Sequence, residues 1–112
     1  MASIGAQIKL GSAELAVLTL LARTPLHGYE IAKQIEEQSG GVLRFDMASL
    51  YPMLYGFERK AWVKAEWETL ANGRQRRCYK LTPLGRKQLA PLRAQWRDFF
   101  RAFQSLTGFQ NA

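Results

Sequence analysis

Cysteine is almost missing from this sequence. Cys78 stands alone among 112 residues, so no disulfide can close within the chain, and an unpaired thiol fits a reducing, cytoplasmic setting. Histidine is as scarce, with only His27. One His, one Cys and no clustered carboxylates cannot build a familiar zinc site or a Cys-His pair with an orienting group. A Gly-rich phosphate loop is also lacking. These absences argue against an enzyme, a metal and any other cofactor. The longest apolar run, Leu15 to Ala22, is too short to span a bilayer, and Met1 to Gly11 do not read as a secretory signal. No membrane partner is expected. Acidic residues are the minority: 9 Asp and Glu stand against 16 Lys and Arg, for a net charge of +7. Such an excess favours a polyanionic partner.

What is present is a globular composition, with 47% hydrophobic and 22% charged residues. Ser12 is a candidate N-cap for a first helix to Ala22, apolar almost all round and so expected to be central, with Thr24-Pro25 ending it. A second helix opens at His27-Gly28-Tyr29 and runs to about Gln38. Tyr29, Ala32 and Ile35 share one face, and Gly40-Gly41 stops it. A short extended stretch, Val42 to Phe45, follows. Asp46 then reads as the N-cap of a third helix, with Leu50, Met53, Leu54 and Phe57 as its apolar stripe. Pro52 removes one hydrogen bond from that helix, and Gly56 weakens its interior.

After Ala61 the period shortens to two. Val63, Ala65 and Trp67 alternate with Lys64, Glu66 and Glu68. Asn72-Gly73 signals a turn, and Arg77, Tyr79 and Leu81 alternate on a return strand. This is a β-hairpin with its tip over Leu70 to Gln75. Thr82-Pro83 starts a last helix running to about Leu106. Leu89, Leu92, Trp96, Phe99, Phe103 and Leu106 recur at steps of three and four, as in a heptad seam, and a kink or break is expected at Pro91, with the intact seam after it.

Three helices followed by a hairpin is the order of a winged helix-turn-helix. The fold expected is therefore mainly α with a small β-hairpin (α+β). Residues 1–82 form the DNA-binding domain, and residues 83–112 a C-terminal dimerisation helix and tail. A third helix of this kind fits the major groove, and the hairpin reaches the flanking backbone or minor groove. Ser49, Tyr51, Tyr55 and Arg59 lie on the exposed face of that helix, although either tyrosine could instead pack on a neighbour. The wing carries Asn72, Gly73, Arg74, Arg76 and Arg77. From Arg59 to Lys80 seven basic residues face two acidic ones, a balance suited to phosphate contact; the alternative is a solvated charged turn. The aromatic seam of Leu89, Leu92, Trp96, Phe99 and Phe103 either covers the protein's own core or joins two copies, and its aromatic content favours a homodimer. His27, just before a helix, reads as a structural or N-terminal capping residue, and Cys78 as a packed or half-exposed one.

Several of these segments together resemble the PadR-like transcriptional regulators, in particular the short subfamily with a single C-terminal helix. They are His27-Gly28-Tyr29-Glu30-Ile31, Ser49-Leu50-Tyr51-Pro52-Met53-Leu54 and Trp67-Glu68. The run Asn72-Gly73-Arg74-Gln75-Arg76-Arg77-Cys78-Tyr79-Lys80-Leu81-Thr82-Pro83-Leu84-Gly85 follows, and then the aromatic helix around Trp96. The resemblance accounts for Pro52. It implies a homodimeric repressor whose last helix packs on the partner's first and last helices. It also implies a DNA face at Ser49, Tyr51 and Tyr55, wing contacts from Arg74, Arg76 and Arg77, and release from DNA by a small aromatic or drug-like effector, in some members against Trp96. The sequence departs from the family pattern at Gly56, which replaces a basic residue, and at Ala61, which replaces the closing Gly. The competing function is a winged-helix dimer that binds an acidic protein through its wing, without reading DNA sequence.

Overall fold

The computed structural model describes residues 4–108. Among these residues, five helices and three short strands follow in the order α1 (Ile4–Arg23), β1 (Leu26–His27), α2 (Gly28–Gln38), α3 (Met47–Arg59), β2 (Val63–Thr69), β3 (Gln75–Leu81), α4 (Pro83–Arg86) and α5 (Leu89–Thr107). The strands form one antiparallel sheet in the order β1-β3-β2. This is the winged-helix arrangement expected, with a long C-terminal helix.

The core lies between α1, α2, α3 and one end of the sheet. Val17, Leu18 and Leu21 of α1 meet Ile31 and Ile35 of α2, Leu50, Leu54 and Phe57 of α3, and Val63, Tyr79 and Leu81 of the sheet. Burial of these side chains is the main stabilising term, at about 1.5–3 kcal/mol for each large one. It fixes the orientation of α3. Asp46 caps that helix as expected, its Oδ1 accepting from Ser49 N at 2.8 Å. Pro52 sits inside α3 without ending it.

Four local expectations change. Helix α1 begins at Ile4, well before Ser12. Gly11-Ser12 reads as a start because both residues are poor helix formers. The helix continues through them, and Gly11 faces Trp96 of α5 so closely that a Cβ there would lie 3.1 Å from the indole. On α2 the buried residues are Gly28, Ile31 and Ile35, whereas Tyr29 is 65% exposed. Gly28 takes the place of a large side chain because Tyr51 approaches it, its Cε1 standing 3.0 Å from where a Cβ would be.

On β2 the apolar alternation is buried only at its start. Val63 is buried and Ala65 half-buried, but Trp67 is 66% exposed, because the hairpin runs past the core as a wing. The last helix, finally, is two. α4 ends at Arg86 and α5 begins at Leu89. Pro91 lacks an N–H for the carbonyl four residues back, at Lys87, and its ring crowds that carbonyl. The break therefore falls at Lys87-Gln88, and Pro91 occupies the first turn of α5, where amides have no intrahelical acceptor. Strand β1 is an addition to the expected hairpin. It pairs Leu26 with Tyr79 and His27 with Cys78; two residues are too few to show a period.

Candidate nucleic-acid interface

The third helix ends in a tight reversal that starts the wing. Ala61 adopts φ +60°, a left-handed conformation usually left to glycine. Ala61 N donates to Glu58 O at 2.9 Å, and Trp62 N to Phe57 O at 2.9 Å, the paired bonds of a Schellman motif. The accompanying apolar contact is present too, with the Phe57 and Trp62 rings 5.5 Å apart. An alanine thus closes this helix at a position where glycine is the usual residue, in a strained backbone.

Thr82 secures this reversal from the far end of β3. Its Oγ1 accepts from Gly85 N at 3.0 Å and lies 2.6 Å from Ala61 O and 3.0 Å from Trp62 O. Thr82 N donates to Trp62 O at 2.9 Å. The N-cap of α4 therefore also fixes the end of α3 and the base of the wing.

Outward from the core, α3 presents Ser49, Tyr51, Tyr55 and Arg59, all exposed as expected. Tyr51 and Tyr55 stack, with ring centroids 6.2 Å apart. Gly56 is half-buried, but packing does not require it: the nearest atom to a Cβ there would be Arg59 Nη2 at 3.7 Å.

At the wing tip Asn72, Gly73 and Arg74 are exposed. Gly73 takes φ +83°. Asn72 Oδ1 accepts from Arg74 N at 3.0 Å, and Leu70 N donates to Arg74 O at 2.7 Å. The tip is a closed turn whose exposed cation is Arg74.

The other two wing arginines are drawn back into the protomer. Arg76 bonds both oxygens of Glu68, its cross-strand neighbour, at 3.3 Å and stands 2.6 Å from His27 Nε2, which also faces the Glu30 carboxylate. Arg77 Nη2 donates to Glu58 Oε1 of α3 at 2.7 Å. Its guanidinium carbon lies 5.6 Å from the Trp67 ring, 5.8 Å from Tyr79 and 6.0 Å from Tyr55. Among the described residues, the Arg77 Nε and the Tyr79 hydroxyl are buried without a hydrogen-bond partner.

A count of charges from Arg59 onward sees only Glu66 and Glu68 as counter-ions. Glu58 lies one residue outside it. The Glu68–Arg76 pair depends on the register actually adopted, in which Ala71, Asn72 and Gly73 form a three-residue loop; a two-residue Asn72-Gly73 turn would set Glu68 opposite Arg77 instead.

Beside His27 on the sheet, burial pushes the Cys78 thiol above its ordinary value, and Glu68 and Glu30 push it further. The sulfur is held as a neutral thiol, consistent with a packed residue and not with an activated thiolate.

The seam on α5 divides. Leu89 is 6% exposed and belongs to the protomer's own core, against which Leu92 also packs. Trp96 and Phe99 are half-buried, with rings 5.7 Å apart, and Phe99 stacks on Phe103 at 5.9 Å. Phe100, Phe103 and Leu106 are open, Leu106 at 85%. Among the described residues no helix is long and apolar enough to cross a membrane.

Comparison with known proteins fits this geometry. The family description "Transcriptional regulator PadR-like family" matches residues 17–91. A transcriptional regulator from Clostridium thermocellum superposes with a TM-score of 0.83 at 21% identity, covering 90% of this chain and 98% of that one. A PadR family transcriptional regulator from Eggerthella lenta does so with a TM-score of 0.80 at 22% identity, covering 96% and 91%. At these identities the likeness is one of fold. An uncharacterized 37.1 kDa protein in a Streptomyces fradiae transposon is 42% identical over 82 residues, which are 73% of this chain and 22% of that protein. The chain therefore spans about a fifth of that relative. The family match covers α2, α3, the whole wing and the start of α5, and on that ground this chain belongs to the PadR-like family of transcriptional regulators.

Proposed function

We propose that the protein is a homodimeric, cytoplasmic repressor that binds a palindromic DNA operator. The observation that carries the reading is the pairing of two exposed surfaces on a rigid base. One is the Ser49, Tyr51, Tyr55 and Arg59 face of α3. The other is the wing tip at Asn72, Gly73 and Arg74. The Thr82 hydroxyl network supports the reversal between them. Hydroxyls and an arginine on a groove-sized helix suit base edges and phosphates, and an exposed arginine on a projecting turn suits the backbone or a narrow minor groove.

Residues 1–82 act as the DNA-binding unit, and residues 83–112 carry the contact between copies. The second copy covers Phe100, Phe103 and Leu106 and completes the burial of Trp96 and Phe99, which a protomer alone leaves partly open to water. Leu89 and Leu92 support this face from within the protomer. Two-fold symmetry then sets two recognition helices on half-sites about one helical turn apart. A small aromatic effector, stacked against Trp96 between the copies, releases the DNA. Tryptophan quenching by candidate aromatic compounds, with loss of bound DNA, tests that last element.

Duplex binding measured across a range of salt concentrations tests the reading as a whole. The competing role is docking of an acidic protein through the wing. The withdrawal of Arg76 and Arg77 into intramolecular pairs leaves that role a single open arginine at the tip and so weakens it.

A further inference from the structure

Arg77 is a wing arginine that belongs by its contacts to the recognition helix. Its carboxylate partner, Glu58, is on α3, as is Tyr55. Trp67, its cross-strand neighbour, is on β2, and Tyr79 shares its own strand. The side chain thus touches three elements, and part of the guanidinium is already buried. A long, solvated side chain reaching for phosphate would have neither feature.

The geometry points to Arg77 as a positioning residue: with Glu58 it locks the wing to α3 and fixes the Tyr55 ring, and it does not itself neutralise a DNA phosphate. This rests on the DNA-binding reading above and assigns Arg77 a different part in it from that of Arg74. Two consequences separate the roles. A phosphate contact serves every DNA sequence alike and contributes a released counterion to the salt dependence. A positioning contact sets the register of base-reading side chains, so its loss falls on the preferred sequence. Glu58 discriminates further. If it only holds Arg77 away from DNA, removing its charge frees a cation and strengthens binding. If it is half of the lock, removing its charge weakens binding.

The test uses the full chain, an operator recovered from a randomised duplex library and a scrambled duplex of equal length. Arg77→Gln and Glu58→Gln are each expected to lower operator affinity by about tenfold, about 1.4 kcal/mol. Binding to the scrambled duplex and the salt slope should stay at wild-type values. Arg77→Lys keeps the charge but not the planar fork, so it is expected to lose operator affinity as well; it also serves if Arg77→Gln fails to fold. A salt slope reduced by about one in Arg77→Gln, or tighter binding by Glu58→Gln, would overturn the positioning role while leaving the DNA-binding reading intact. Failure of the wild-type chain to bind any duplex would remove both.

Discussion

Gly85 lies against the Trp62 carbonyl so closely that a Cβ on it would stand 2.1 Å from that oxygen and 2.7 Å from Leu81 Cδ1. The obstacle is backbone, and the same carbonyl accepts from Thr82 N. It cannot move without opening the joint between α3 and the wing. Gly85→Ala is therefore expected to cost more than about 4 kcal/mol, among the largest effects of a single methyl group. Chemical denaturation, or soluble yield if the variant does not fold, checks this.

The opposite change is expected at Ala61. Its left-handed backbone costs about 1–2 kcal/mol for a residue with a Cβ, part of which glycine returns as lost chain entropy. Ala61→Gly should stabilise the protein by about 1 kcal/mol in denaturant titration. Because the Schellman bonds remain, DNA affinity should not change. A destabilised variant would mean that the reversal is not held in this conformation.

Tyr79 gives a prediction about alkaline pH. Burial pushes its hydroxyl up to about 12, partly offset by Arg77 and reinforced by Glu58. The unfolded chain gives up this proton near pH 10. The stability that Tyr79 contributes is thus complete below about pH 10 and lost as pH rises through about 12. Tyr79→Phe should remove this part of the alkaline decline. At neutral pH it should leave stability unchanged or raise it by up to about 1 kcal/mol, since the deleted hydroxyl is buried and unpartnered. A loss of more than about 1 kcal/mol would show that the hydroxyl is bonded after all. Thermal melts from pH 7 to 12 decide it.

The open face of α5 should set the assembly. Phe100→Glu with Phe103→Glu places two charges where a second copy is proposed to dock, at side chains 54% and 44% exposed in the protomer. The variant should sediment as a folded monomer with wild-type helix content and weakened operator binding. A dimer that survived both charges would place the contact elsewhere.

Most of the fold was legible because its signals are local. The Asp46 and Thr82 caps, the Asn72-Gly73 turn and the change of period after Ala61 each depend on a few adjacent residues. What escaped depends on distant partners. Strand β1 exists because Tyr79 and Cys78 lie beside it, α1 passes through Gly11-Ser12 where Trp96 packs, and Tyr29 points out because Gly28 admits Tyr51. The candidate site divides in the same way. The tyrosine face of α3 and the wing tip are local features and sit where expected. The commitments of Arg76 and Arg77 depend on His27, Glu58 and a tertiary fit, so their charge alone gave no sign of them. The C-terminal break was misplaced by one turn, because a proline acts on the carbonyl four residues before it.

Selection of bound sequences from a randomised duplex library, followed by titration of the selected duplex across salt concentrations, tests the central claim most directly. The account predicts a two-fold symmetric site with half-sites about one helical turn apart, and affinity falling steeply as salt rises. Absence of any enriched sequence, with no duplex binding at low salt, would contradict it.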